Sequence, residues 1–342
     1  MTKKVLIKFK KHPVIIVFIL VCLVFPVVVK VDYFQRMFTE IFFIGAMASA
    51  WNIIGGYANQ TSWAHASFLA VGAYAGFLMY LQLNISPFIS MFIGMGLSVL
   101  LAIIIGAPTF KLRGSFFAIA TIACGTIVRQ CLLYPPFTTL TGGANGLMLP
   151  AKEQVDVLFL NFTSEIPFYY IAFGMMIITL IIVFIVVQSK LGYYLRAIRE
   201  DEDAAESLGI RTNRIKLVAL IISAIIMSVL GTLYSFKIKY IDPQSVASYD
   251  MAIRIGITAI IGGLGTKWGP IVGAFVTIPL LELANYYFAT LGGGGVGFAI
   301  YGLMMILIVL FQRDGLIAVG KRVKNYLVKK LSHKKNVYDG NA

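Results

Sequence analysis

FYYIAFGMMIITLIIVFIVVQSKLGYYLRAIREDEDAAESLGIRTNRIKLVALIISAIIMSVLGTLYSF, residues Phe168 to Phe236, sets two apolar runs on either side of a charged island. Each run, 168–188 and 217–236, is near the ~20 residues that cross a bilayer as a helix. Between them, Lys190 to Lys216 carries six basic residues (Lys190, Arg196, Arg199, Arg211, Arg214, Lys216) and five acidic ones (Glu200, Asp201, Glu202, Asp203, Glu206). A chain that lives in lipid holds such a segment in water, and the basic excess places that water on the cytoplasmic side.

The rest of the 342 residues agrees: 59% are hydrophobic and only 13% charged, with mean hydropathy +0.85. Soluble domains carry about a quarter charged residues, so this chain cannot cover a water-facing surface. Continuous apolar runs also exclude a β-barrel, which shows short alternating strands. The expected class is all-α, a polytopic integral membrane helical bundle. The net charge of +14 is no nucleic-acid signature, because it sits in tails. Five lysines lie in the first eleven residues, and eight basic residues lie from Arg313 onward. Such tails anchor topology and touch anionic lipid. Cys22, Cys124 and Cys131 form an odd set without metal spacing and read as packing residues.

Ten apolar segments can be counted, at about 13–29, 40–54, 63–82, 88–108, 115–134, 168–188, 217–236, 251–264, 269–290 and 296–312. The first reads as a retained span rather than a signal peptide. Segments 40–54 and 251–264 are short for straight spans and are expected to be broken or re-entrant; without them eight crossings remain. Either count puts both termini inside. The turn with Lys111 and Arg113, the charged island and the turn with Lys267 then also lie inside, and the acidic loop 135–167 lies outside. The expected organisation is a basic cytoplasmic N-terminus (1–12), a membrane domain (13–312) with cytoplasmic loop 190–216 and external loop 135–167, and a basic cytoplasmic tail (313–342). Small residues at 96–107 and 262–275 read as helix-packing surfaces.

Within the island, Tyr193 to Leu208 reads as one two-faced helix, with Leu195, Ile198, Ala205 and Leu208 as its apolar side. Gly209 stops it as a C′ glycine does. Five acids disfavour a purely lipid contact, so a groove on a cytoplasmic partner is the better fit.

GYYLRAIREDEDAAESLGIRTNRIKLVALIISA resembles the cytoplasmic loop of the permease subunits of branched-chain amino acid ABC transporters. GGYANQTSWAHASFLAVGAY (Gly55 to Tyr74), KLRGSFFAIATIACGTIVR (Lys111 to Arg129), LTGGANGL (Leu140 to Leu147), IGGLGTKWGPIVGA (Ile261 to Ala274) and FQRDGL (Phe311 to Leu316) are similar to further elements of that family, in order. The resemblance implies a type II ABC importer-like bundle paired with a second homologous permease. Two ATP-binding cassette subunits would dock below, and an extracytoplasmic binding protein would deliver substrate, all in the plasma membrane of a prokaryote. It implies that the island is the coupling helix: Ala204, Ala205 and Gly209 allow close approach, Arg196, Arg199 and Glu206 form a polar rim, and Tyr194 lies beside them. Two departures, Trp63-Ala64 and Thr126, leave the substrate open between branched-chain amino acids and urea or short amides.

No nucleotide-binding Gly-x-x-x-x-Gly-Lys-Ser/Thr motif occurs, and Gly292 to Gly297 is a glycine run rather than a dinucleotide turn. His12, His65 and His333 stand far apart, and no catalytic or metal-ligand constellation is visible, so neither an enzyme nor a cofactor is expected. A secondary transporter or channel without ATPase subunits is the competing class; it has no need of the island. Polar residues inside spans, Asn52, Gln60, Ser62, His65, Ser67, Thr121, Thr126 and Arg129, are pathway candidates, against interhelical hydrogen bonding as the alternative. Outside, Gly142, Gly143, Asn145 and Gly146 suit a left-handed turn that contacts the binding protein, closes the outer mouth or simply connects.

Overall fold

The computed structural model describes residues 13–150 and 156–292, with residues 299, 302–307, 310, 315–318 and 322 beyond them. The expectations for residues 1–12, for Lys152, for about half of a last span at 296–312, for the glycine turn after Gly292 and for most of the tail fall outside the described residues.

The described chain is helical. In order it runs α1 (Pro13–Val28), α2 (Asp32–Gly55), α3 (His65–Leu83), α4 (Pro87–Thr109), α5 (Ser115–Leu133) and α6 (Pro135–Thr141). Then come a single 3-10 turn (Gly143–Asn145), β1 (Leu147–Met148), α7 (Ile166–Gln188), α8 (Lys190–Glu200), α9 (Glu202–Ser207) and α10 (Thr212–Ile238). It ends with β2 (Tyr240–Ile241), α11 (Pro243–Val246), α12 (Tyr249–Gly262) and α13 (Gly269–Gly292). Among the described residues, eight stretches are long and apolar enough to cross a membrane; α11 and α12 count as one, and Val17–Val28 is a shorter apolar helix.

Segment 40–54 is not short. It belongs to the 24-residue α2, whose first turns carry Asp32, Gln35, Arg36, Thr39 and Glu40 and so hid the helix from an apolar reading. Those polar groups are bonded: Gln35 donates to the Val29 carbonyl at 3.0 Å, and Thr39 back to the Gln35 carbonyl at 2.7 Å. Segment 251–264 is not itself broken: it lies largely within the continuous 14-residue α12, and the interruption comes before it, at Ala247–Ser248, so that α11 and α12 together make one 20-residue candidate span. Asp242 accepts from the Gln244 and Ser245 amides to start α11, and Ser248 accepts from the Met251 amide to start α12.

From Ile41 to Gly55 every residue of α2 is buried, so other elements surround it on all sides. Phe42 meets Tyr169 and Phe173 of α7 and Phe275 of α13 at ring-centroid distances of 5.2 to 6.3 Å. Elsewhere α3 and α10 cross at backbone contact. A methyl group at Gly72 would collide with the Ser228 carbonyl, and one at Gly231 with that of Leu69. The 262–275 stretch packs as its small residues suggest, whereas Gly96 faces open space. Phe92, Leu100 and Ile104 of α4 and Phe116, Ile119 and Ile127 of α5 are exposed, which suits a surface meeting acyl chains. Cys131 is exposed too, so of the three cysteines only Cys22 is a fully buried packing residue.

Loops of the two charge classes gather at opposite ends of the bundle. At one end, Arg113 pairs with Asp203 at 2.6 Å and Asn52 bonds the Thr266 carbonyl at 2.9 Å. At the other, Arg36 pairs with Glu165 at 3.0 Å, Ser86 donates to the Leu158 carbonyl at 2.7 Å, and β1 pairs antiparallel with β2.

Candidate functional site

The charged island is two helices, not the single Tyr193–Leu208 helix its pattern suggested. Asp201 leaves the helical conformation with φ −158° and its Oδ1 accepts from the Ala204 amide at 3.0 Å, ending α8 and capping α9. Four consecutive charged residues after Arg199 (Glu200, Asp201, Glu202, Asp203) make a weak helix interior, and Asp prefers the cap. Gly209, with φ +83°, then closes α9 as expected. Leu195, Ile198 and Ala205 point into the bundle, but Leu208 is 83% exposed. Ala205 therefore packs on its own chain, whereas Tyr193, Tyr194, Arg196, Ala204, Ser207 and Gly209 lie exposed. Arg196 lies 4.7 Å over the Tyr193 ring and donates to the Gly192 carbonyl at 3.2 Å, which holds it along the outer face.

This segment is tied to three parts of the bundle. Lys216 of α10 is fully buried, with Nζ 2.6 Å from Glu202 Oε1 and 3.4 Å from the Phe110 carbonyl. Removing one partner of such a pair costs about 3–5 kcal/mol, because the other is left charged in a dry site. Arg113, on the turn after α4, reaches Asp203 at 2.6 Å and Glu206 at 3.9 Å. The hydrogen bond and charge of Asp203 raise the pKa of that guanidinium. Glu206 also accepts from Thr212, the first residue of α10. Arg199 leaves the island altogether: its Nη1 donates to the Gly56 carbonyl at 3.0 Å, just past the end of α2. There Asn52 accepts from the Gly265 amide at 2.9 Å and donates to the Thr266 carbonyl, joining α2 to the α12–α13 turn. Displacing α8–α9 thus pulls on α2, α4, α10 and the turn before α13 together.

The pathway candidates divide. Asn52 is a clamp, as above. The Ser62 carbonyl accepts from the Trp51 indole at 2.6 Å, and Gln60 is buried with its backbone N–H donating to the Ile54 carbonyl at 3.2 Å. His65 is buried with Nε2 2.8 Å from Ser223, which in turn donates to the Ala50 carbonyl at 2.7 Å. Thr121 accepts from the Trp63 amide at 3.1 Å. Asn52, Ser62, His65 and Thr121 thus tie separate elements together, and Gln60 closes the loop after α2. Ser67, Thr126 and Arg129 instead share a narrow cleft of about 20 Å³ with Trp63 and Tyr249, between α3, α5 and the start of α12.

In the 135–167 loop, Gly142, Gly143 and Gly146 all have positive φ (+73°, +54° and +70°). The Asn145 carbonyl accepts from the Tyr240 hydroxyl at 3.2 Å, and a methyl at Gly146 would strike the Ile241 carbonyl. The turn is pinned against β2, and the Ala144 and Asn145 residues stand exposed at its tip.

Sequence reasoning missed Glu40. Its Oε2 takes Lys237 at 2.9 Å, and its Oε1 takes the Tyr234 hydroxyl at 2.9 Å and Arg254 at 3.2 Å. An ionisable residue inside a span is a signal of function, but Glu40 stood at the edge of an apolar run and passed for a boundary.

Residues 33–311 match the family model described as branched-chain amino acid transport system / permease component. The chain is 27% and 28% identical over 290 residues to the high-affinity branched-chain amino acid transport system permease proteins LivM of Salmonella typhimurium and Escherichia coli. Those alignments cover 78% of this chain and 65% of each relative's length. A probable branched-chain amino acid transport permease protein LivH of Methanocaldococcus jannaschii is 24% identical, covering 74% of this chain and 79% of the relative. Among solved structures, PsaBC from Streptococcus pneumoniae in complex with Fab aligns with 82% of this chain and 92% of its own at 14% identity and a TM-score of 0.43, too loose a likeness to carry an argument. With the match running through eight candidate spans and the island between them, this chain belongs to the permease family of branched-chain amino acid ABC transport systems.

Proposed function

We propose that this chain is one of two homologous permease subunits of an ABC importer in a prokaryotic plasma membrane, carrying branched-chain amino acids inward. A binding protein delivers the substrate at the end that holds the 135–167 loop. Two separate ATPase subunits bind at the other end, where both termini also lie, and supply the energy. In this reading the exposed face of α8–α9, with Tyr194, Arg196, Ala204 and Leu208, seats in a groove of the ATPase. Gly209 keeps the exit turn compact, and Glu206, partly exposed beside Arg113, borders the contact.

The observation that carries the reading is the anchorage of α8–α9. A partner's groove moves a permease only if the segment it grips is fixed to the spans. Here ion pairs and hydrogen bonds from Glu202, Asp203, Glu206 and Arg199 reach three separate parts of the bundle, α10, the turn after α4 and the end of α2. A solvated loop with no mechanical task needs no such ties. On the substrate path, the Ser67–Thr126–Arg129 cleft is the best-placed of the original candidates, being polar, narrow and open to a thinly covered helix, α5.

The test is reconstitution of the full complex in vesicles with the binding protein and its ATPases, scored for ATP-dependent uptake of leucine, isoleucine, valine and urea. Leucine uptake that depends on ATP and on α8–α9 supports the proposal. Uptake at full rate without the ATPases would refute it, and uptake of urea alone would move the substrate to the amide branch.

A further inference from the structure

A cavity of about 810 Å³ opens between the first turns of α2, the end of α10, the start of α12 and the middle of α13. It lies toward the end of the bundle that holds the 135–167 loop, since Arg36 on its lip pairs with Glu165 at 3.0 Å. Six charged groups line it: Arg36, Lys237 and Arg254 against Glu40, Asp250 and Glu282. Met37, Met251 and Ile257 supply apolar wall between them.

Packing alone does not account for this set. Charges within a membrane span are costly, and apolar residues of the same volume hold helices together as well as a buried ion pair does. A cavity lined equally by both signs is poor for a lone cation or a lone anion. It suits a molecule that carries both charges.

The donor and acceptor count at the centre of the cluster agrees. An ammonium has three hydrogen-bond donors, and Lys237 gives one to Glu40. An ionised carboxylate offers about four acceptor positions, and Lys237, Tyr234 and Arg254 occupy three on Glu40. Donors therefore remain on Lys237 and an acceptor position on Glu40, and both residues line the cavity together with Met251 and Ile257.

We propose that this cavity receives a zwitterionic α-amino acid with an apolar side chain on its way in from the outer end. Lys237 takes its carboxylate, Glu40 its ammonium, and the Met251–Ile257 surface its side chain. The assignment rests on the amino acid transport reading above and names where that substrate is first held.

The experiment uses the complete transporter in vesicles, with Cys22, Cys124 and Cys131 replaced by alanine. Ser245→Cys places a thiol on the cavity wall, and Met148→Cys places one on the outer surface away from it. Both are labelled from outside with a membrane-impermeant maleimide. Leucine at roughly ten times its Kd should slow labelling of Ser245→Cys about tenfold and leave Met148→Cys unchanged. Isoamylamine, which lacks the carboxylate, and 4-methylpentanoate, which lacks the amine, should protect neither. Glu40→Gln in the Ser245→Cys carrier should abolish the protection. If the parent carrier takes up leucine but leucine does not protect Ser245→Cys, or if either single-charge analogue protects as well, the cavity assignment is overturned. If the parent carrier takes up no leucine, the transport reading fails first and the ligand assignment with it.

Discussion

Lys216 Nζ, on a side chain with no exposed surface, lies 2.6 Å from Glu202 Oε1 across the junction between the charged island and α10. The pair makes the island part of the bundle. Lys216→Met should lower the folded stability of the solubilised protein by about 3–5 kcal/mol, read as a fall in thermal midpoint, because Glu202 is left without its cation. The double variant Lys216→Met with Glu202→Leu should recover most of that loss and still show weakened coupling of ATP hydrolysis to uptake. Full coupling in the double variant would show that the ion pair is a packing element only.

Neighbouring alanines on α9 should behave in opposite ways. Ala204 is exposed and Ala205 is 2% exposed against the protein's own interior. Ala204→Trp should insert and fold normally but lose stimulated ATPase activity and co-purification with the ATPase subunits. Ala205→Trp should instead reduce the amount of folded protein, since overpacking costs about 1–3 kcal/mol or more. The two outcomes are separated by size-exclusion chromatography before any assay.

Asn52 spends both ends of its amide on the α12–α13 turn, through the Gly265 amide and the Thr266 carbonyl. Asn52→Ala should cost about 1–3 kcal/mol by orphaning those half-buried groups. It should also lower uptake together with Arg199→Ala in a non-additive way, because both hold the same Gly56–Gly265 junction. Strict additivity of the two in uptake would place them in separate roles.

The α3–α10 crossing tolerates no side chain at Gly231. Gly231→Leu should prevent stable insertion, whereas Gly96→Leu, facing open space, should be neutral. Expression of folded protein and protease resistance report both.

Leu208→Cys and Met148→Cys, both highly exposed (83% and 74%), should be labelled from opposite faces of oriented vesicles. Labelling of both from one face would overturn the membrane orientation and with it the ATPase-docking reading.

Much of the molecule is legible from the order of residues. The class follows from where the apolar runs stand, because a bilayer solvates them, and the basic residues supply the expected sidedness of the loops. Gly209 as a helix stop is legible for a local reason: backbone geometry and capping are decided within a few residues. The length of α2 was not legible, since Asp32, Arg36 and Glu40 look like the end of a span until Lys237, Arg254 and Glu165 are seen beside them. Nor was the break at Asp201, where a four-charge run fits a solvated helix face as well as a cap.

The candidate site divides along the same line. That the island is amphipathic and faces water is a property of its own residues, as is the polar character of Asn52, His65 and Arg129. Which of those polar groups are structural is a property of partners far along the chain: Asn52 is consumed by residues 265 and 266, His65 by Ser223, and Ala205 by the core. Glu40 meets Lys237 and Arg254 only after some two hundred residues of intervening chain have folded around α2. Local composition specifies what a segment prefers as solvent; long-range packing specifies which neighbour satisfies each polar group, and that choice turns a list of polar residues into a latch, a clamp and a cavity.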